Sequence, residues 1–299
     1  MNIKNILRNW VISAISQPKN NIKIEISQIL YGSLFVDKNI VVTGGSKGIG
    51  YAIAKKLIGE GAEVIISGRN EKDLKEAVSN LGERAHYVVF DNNHIDEIEN
   101  FLFECDAKYG KIHSIVLNAG ISLHEGNFLN VTSEGFSKQF DVNLKSNFFF
   151  AKSFIKYKMS KSESGSLLFV SSETGGKFND LPYGLTKNAI NSLVGGLARR
   201  VYQCGIRVNA IAPGVTYTNM TKGEHEITED YSNNSVAGRF LLPSEIAEVA
   251  SFILSDASLC INGETIYCDA GSHLKINGLD QYYSSLIPQH YSLILFISA

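Results

Sequence analysis

A chain of 299 residues, 44% hydrophobic and 19% charged, is long enough to bury one large core and needs neither disulfides nor metal to fold. A formal net charge of -2 excludes the long-range field that recruits nucleic acid or an anionic membrane, so any anion recognition is local and a small molecule is the expected partner. Cys105, Cys204, Cys260 and Cys268 form no CxxC pair, and His94, His113, His124, His225 and His273 no HExxH-like spacing, which argues against a disulfide framework and a metal centre.

At the N-terminus, Ile3, Ile6, Leu7, Trp10, Val11, Ala14 and Ile15 fall on one helical stripe, and Ile22, Ile24 and Ile26 alternate as in a strand. Lys4 and Arg8 precede no small-x-small cleavage site, Asn9, Ser13, Ser16 and Gln17 interrupt the apolar residues, and no run approaches the roughly 18 apolar residues of a spanning helix. A cytoplasmic location is expected. We read residues 1–36 as an extension, 37–273 as one dinucleotide-binding domain and 274–299, with the apolar run at 293–297, as a second extension.

Within 37–273, short β-branched runs at 40–43, 62–67, 85–90, 114–117, 166–171, 206–211 and 264–268 alternate with amphipathic stretches at 49–59, 71–81, 95–109, 133–158, 183–203 and 243–255. This rhythm predicts an α/β fold: a doubly wound, Rossmann-like parallel sheet of seven strands with ligands at the strands' carboxyl ends. The polar connection 216–239 is too long for a simple loop and is expected to act as a lid; its charge suits a sugar or polyol better than an acyl chain or steroid.

After the first strand comes Thr43-Gly44-Gly45-Ser46-Lys47-Gly48-Ile49-Gly50, directly before a helix. The glycines permit a tight turn and close approach of backbone to a pyrophosphate, which the helix N-terminus attracts. Strand two ends Ser67-Gly68-Arg69-Asn70, with Gly68 where an acidic side chain would hold the adenosine ribose; Arg69 and Lys47 are placed to clamp a 2′-phosphate instead. NADP(H) is therefore the expected cofactor.

Further along stand Asp91-Asn92, Asn118-Ala119-Gly120, Asn143, Ser171-Ser172, Tyr183-x-x-x-Lys187 and Pro213-Gly214-Val215-Thr216-Tyr217-Thr218. Tyr183 and Lys187 lie on one helical face, where an ammonium is expected to favour the phenolate and lower a pKa that is ordinarily about 10. With the TGxxxGxG turn, these motifs resemble the classical short-chain dehydrogenase/reductase family over roughly residues 37–273. The resemblance implies an oxidoreductase moving a hydride between NADP(H) and an alcohol or ketone carbon. Tyr183 would be proton donor and base, Lys187 would hold the nicotinamide ribose, Ser172 would bind the reacting oxygen and Asn143 would keep a water in the proton relay. Cofactor contacts would come from Gly44, Ser46, Lys47, Gly48, Ile49, Gly50, Arg69, Asp91, Asn92, Asn118, Ala119, Gly120, Pro213, Gly214, Thr216 and Thr218.

Two departures from the family pattern stand out. Ser172 precedes Tyr183 by eleven positions, a shortened interval that leaves Ser171 as the alternative oxygen binder, and Asn92 replaces an apolar residue. A 3-oxoacyl-carrier-protein reductase is the second enzymatic reading, although no basic patch for an acidic carrier appears. A non-catalytic dinucleotide-binding regulator is the third, disfavoured because Ser, Tyr and Lys are all present. The family also implies a homodimer or homotetramer paired through the 133–158 and 183–203 helices. The N-terminal stripe is expected to cover a subunit boundary or the chain's own core, with a membrane-surface helix as the lesser alternative.

Overall fold

A computed structural model describes residues 32–218, 220–221 and 236–274. The N-terminal stripe, the alternating Ile22 to Ile26, the 293–297 run and most of the 216–239 connection lie outside these described residues.

Seven parallel strands form one sheet in the order β3-β2-β1-β4-β5-β6-β7. They are β1 (Asn39–Thr43), β2 (Glu63–Gly68), β3 (Ala85–Val89), β4 (Ile112–Leu117), β5 (Gly165–Val170), β6 (Ile206–Pro213) and β7 (Thr265–Cys268). The central strands read as unbroken apolar runs because both faces are covered. One covering layer is α1 (Gly48–Gly59), α2 (Glu71–Leu81) and α7 (Pro243–Leu254), which bury Ile53, Leu57, Leu74, Ile246 and Ala250. The other is α3 (Ile98–Tyr109), α4 (Ser133–Phe140), α5 (Ser146–Ser160) and α6 (Pro182–Val201), with Phe101, Phe150, Phe154 and Ile190 at its centre. Among the described residues no helix is long and apolar enough to cross a membrane.

The strand order reverses between β1 and β4, where the carboxyl ends of a doubly wound sheet leave a crevice. A single hydroxyl ties that crevice together. Thr43 Oγ1 donates to the Val116 carbonyl at 3.3 Å and accepts from the amides of Asn118 at 3.1 Å and Ala119 at 3.2 Å.

The helix expected across 133–158 is instead broken by a π-helical turn, Asp141–Lys145. Its cause is side-chain competition for the backbone: Asn147 Nδ2 donates to the Asn143 carbonyl at 2.7 Å and Ser146 Oγ to the Val142 carbonyl at 2.7 Å. The buried Asn143 amide meanwhile leaves the helix altogether, bonding Ile121 N and O at 2.8 Å each. Such bulges recur at functional sites. The helix expected from residue 95 likewise opens with a 3₁₀ turn, Ile95–Glu97, before α3 proper.

One buried arginine closes α7. Arg207, on β6 and 6% exposed, donates to the carbonyls of Ile253, Leu254, Ser255, Ser258 and Ile261 at 3.0–3.3 Å. A cation at a helix C-terminus satisfies carbonyls that have no helical partner and meets the negative end of the dipole. Arg207→Met should destabilise the protein by about 3 kcal/mol, since each buried carbonyl left without a donor costs on the order of 1–3 kcal/mol. Urea unfolding measures this; a loss below about 1 kcal/mol would contradict it.

Candidate active site

Two clusters form at the crevice and one residue joins them. The first is the turn between β1 and α1. Gly44 and Gly48 adopt φ of 63° and 56°, a left-handed region that only glycine enters without strain. A Cβ on Gly45 would meet the Ile66 side chain, and one on Gly50 the Asn118 amide and the Gly44 carbonyl. Asn118 Nδ2 closes the turn from the other side, donating to the Thr43 and Gly44 carbonyls at 3.0 Å each. Ser46, Lys47 and Ile49 complete the turn, and Thr218 lies over it: a Cβ on Gly48 would come within 3.3 Å of Thr218 Cγ2. Thr216 turns its hydroxyl back to the Gly214 carbonyl at 2.8 Å, and Pro213 ends β6. The bare, glycine-lined turn at a helix N-terminus fits a pyrophosphate.

The second cluster unites Asn143, Ser172, Tyr183 and Lys187. Pro182 occupies the first position of α6, where its missing N–H costs nothing, so Tyr183 projects from the first turn and Lys187 from the next. The Ser172 hydroxyl lies near enough to the Tyr183 phenol to act on its pKa. Lys187, 3% exposed, directs its ammonium to the Val170 carbonyl at 2.9 Å and lies 5.5 Å from the Tyr183 ring centre. That carbonyl is the one acceptor recorded for it among the described residues, so two of its three N–H donors are left for a ligand. Burial pushes the Lys187 pKa down to about 8. Gly120 joins the two clusters: a Cβ there would sit 3.3 Å from Asn143 Oδ1 and 3.6 Å from Lys187 Nζ.

The expected lowering of the Tyr183 pKa is reversed. Burial lifts the phenol above its ordinary value, the Ser172 hydrogen bond opposes the rise and the Glu173 carboxylate adds to it. Spacing alone showed the neighbouring lysine but not the burial that raises the phenol's pKa.

The two serines now separate. Ser171 Oγ donates to Asn191 Oδ1 at 2.6 Å, on the far side from Tyr183 in the chain of contacts, while Ser172 is the serine that meets the phenol. The short interval between Ser172 and Tyr183 is folded by asparagines. Asn179 Nδ2 donates to the Thr174 and Lys177 carbonyls at 2.7 Å each, and Asn188 and Asn191 on α6 donate to the Gly175 carbonyl at 2.7 and 2.9 Å.

At the edge of the turn, Lys47 pairs with Asp73 at 2.7 Å, a partner the sequence reading missed. Arg69 is exposed and makes no ion pair among the described residues. Asp91 Oδ1 accepts from the Asn93 amide at 3.0 Å, and the neighbouring Asn92 is buried, its Nδ2 without a hydrogen-bond partner among the described residues. Arg239, read as part of a polar lid, is instead bound by both nitrogens to Glu245 at 2.6 and 2.8 Å. No group of three or more metal-ligating side chains occurs among the described residues.

Residues 44–273 match the family model described as Enoyl-(Acyl carrier protein) reductase. L-rhamnose 1-dehydrogenase (NADP(+)) of Thermoplasma acidophilum is 33% identical over 258 residues, 81% of this chain and 98% of that protein. A 3-oxoacyl-(acyl-carrier-protein) reductase of Chlamydia muridarum is 34% identical over 246 residues, 80% of this chain and 98% of its own. Among solved structures, the 3-ketoacyl-(acyl-carrier-protein) reductase of Brucella melitensis complexed with NADH is similar at 25% identity and a TM-score of 0.74, covering 80% of this chain and 99% of that one. The chain belongs to the short-chain dehydrogenase/reductase family, and it is a nicotinamide-dependent oxidoreductase acting on CH–OH and C=O groups.

Gly50→Ala should weaken dinucleotide binding at least tenfold and cost about 1–3 kcal/mol of stability, because the added methyl overlaps Asn118 and the Gly44 carbonyl. Fluorescence titration with the reduced dinucleotide and thermal melts test both; wild-type affinity would show that the turn does not carry the pyrophosphate.

Proposed function

We propose that this chain uses NADPH to reduce the carbonyl of a small polar substrate, with Tyr183, Ser172, Lys187 and Asn143 as its working residues. The observation that carries the reading is the buried cluster in which the Tyr183 phenol meets the Ser172 hydroxyl beside an ammonium with two donors to spare. When bound, the reduced nicotinamide supplies the hydride. Tyr183, whose raised pKa keeps the phenol protonated, donates the proton to the carbonyl oxygen. Ser172 hydrogen-bonds that oxygen as charge develops. Lys187 gives its free donors to the nicotinamide ribose. Asn143, its side-chain amide anchored to Ile121 at both ends, keeps the water of the proton relay.

NADP(H) over NAD(H) rests on Gly68 and Arg69 at the end of β2. Arg69 makes no ion pair among the described residues, whereas Lys47 must be drawn from Asp73 to join it. Among the relatives, the rhamnose dehydrogenase is named for NADP(+), which favours this choice and a sugar-like substrate. Acyl-carrier thioesters are the second reading, favoured by the chlamydial relative that matches across 98% of its length. The same family reading expects a homodimer or homotetramer, supported by the groove of Phe140, Leu144, Phe148 and Phe149 on the α4–α5 face; light scattering tests it.

Wild-type kcat/KM should be at least tenfold higher with NADPH than with NADH, about 1.4 kcal/mol, and Arg69→Ala should narrow the gap. Equal efficiency with both cofactors would overturn the assignment.

Tyr183→Phe should lower kcat by on the order of 10²–10⁴ while NADPH titration gives near wild-type affinity. A panel of aldoses, polyols and 3-oxoacyl thioesters decides the substrate class, and turnover of the thioesters alone would replace the polar reading by the second.

A further inference from the structure

We infer that Thr186 is a positioning residue for the proton transfer: its hydroxyl ties the first turn of α6, which carries Tyr183, to Asn143 on the π turn. The inference rests on the reading above, in which Tyr183 donates the proton and Asn143 serves its relay, and adds a fully buried residue that acts only through those two.

The turn that carries Tyr183 starts without the usual restraint. Leu181 stands at the N-cap of α6 and makes no side-chain capping bond, and Pro182 brings no N–H. The opening N–H groups of a helix have no partner within it, so an uncapped first turn frays unless something else holds it. Fraying there would move the phenol relative to Ser172, which follows a different element, β5.

Thr186 supplies that hold from inside the protein. It lies three residues after Tyr183 and is fully buried. Its Oγ1 donates to the Tyr183 carbonyl at 2.6 Å and accepts from Asn143 Nδ2 at 3.3 Å. The first bond alone is the common back-bond of a helical threonine. The second is not local: Asn143 is 43 residues away in sequence, and its amide is already anchored to Ile121 N and O at 2.8 Å each. A continuous hydrogen-bonded path therefore runs from the Tyr183 carbonyl through Thr186 and Asn143 to the segment that follows β4.

Only a hydroxyl completes this path. The Asn143 side chain has two N–H donors and one carbonyl. Ile121 takes one N–H and fills the oxygen, and Thr186 is the acceptor for the second N–H. Asn143 is fully buried, and a buried N–H left without an acceptor is costly. Serine can accept that N–H and still donate to the Tyr183 carbonyl, whereas alanine and valine can do neither. Every group on the path is neutral, so its loss is felt as a misplaced phenol rather than as a changed charge.

The test combines kinetics with hydrogen exchange on the full chain. With NADPH, the probes are D-glyceraldehyde for the polar reading and ethyl acetoacetate for the 3-oxoacyl one. Thr186→Val, near-isosteric but without the hydroxyl, should lower kcat about tenfold while KM and NADPH affinity stay within about twofold of the wild type, because a misplaced proton donor slows chemistry rather than binding. Its solvent deuterium isotope effect on kcat should rise as proton transfer becomes limiting. Amide exchange in the peptides covering 181–187 and 119–123 should quicken together. Thr186→Ser should bring kcat, the isotope effect and both protections back toward wild type. Should Thr186→Val yield too little folded protein, Thr186→Ala is read in its place against Thr186→Ser. Wild-type kcat in Thr186→Val or Thr186→Ala overturns the inference while carbonyl reduction stands, and so does a Thr186→Ser enzyme as slow as Thr186→Val. Turnover of neither probe by the wild type overturns the parent reading together with this one.

Discussion

The structure depends on the reversal of strand order between β1 and β4, which sets two carboxyl ends side by side and leaves their backbone groups to be satisfied across the gap. Thr43 does this with one hydroxyl and Asn118 with one amide. The geometry of the glycine turn is thereby slaved to the segment Asn118-Ala119-Gly120. Gly120 in turn packs against Asn143 and Lys187. The segment Asn118-Ala119-Gly120 thereby links the glycine turn to the cluster around Tyr183.

Two buried lysines show what distinguishes structure from function in this fold. Lys158 is fully buried, but its ammonium meets Glu163 at 2.9 Å and the Ile112 carbonyl at 2.7 Å, and Glu163 offsets the downward pull of burial on its pKa. Lys187 is as deeply placed and has one carbonyl. With no carboxylate beside it, burial acts unopposed and takes its pKa to about 8. A charge so poorly compensated is an expense to folding, and such groups concentrate where a ligand completes them.

The seven strands and the helix order were legible because their signals are local: continuous apolar runs for strands covered on both faces, and Pro182, Pro243 and the Asn70 cap at helix starts. The glycine turn and the Tyr-x-x-x-Lys pair were legible for the same reason, since a backbone needing positive φ and a one-turn spacing both sit in a few adjacent residues. What escaped notice depends on partners far along the chain. The π turn needs Asn143 to reach Ile121, the α7 terminus needs Arg207 some fifty residues away in sequence, and Lys47 finds Asp73 across the β2 loop. Arg239 looked like part of a charged lid because its bidentate partner, Glu245, belongs to the next helix. The pKa of Tyr183 was misread in direction for the related reason that desolvation is a property of the packed interior, not of spacing.

The shortened interval between Ser172 and Tyr183 is where local and distant constraints meet. Fewer residues must span the same distance, and the turn does so by giving its carbonyls to Asn179, Asn188 and Asn191 rather than to water. Gly184 lies so close to Asn179 that a Cβ would overlap it, so the loop is pressed onto the first turn of α6. This places the Glu173 carboxylate on the same short arc as Ser172, near the phenol. The negative charge and the burial act together, against a single hydrogen bond from Ser172, to hold the Tyr183 proton in place. A loop made short for want of residues thus adds a charge that, with burial, raises the pKa of the phenol at its end.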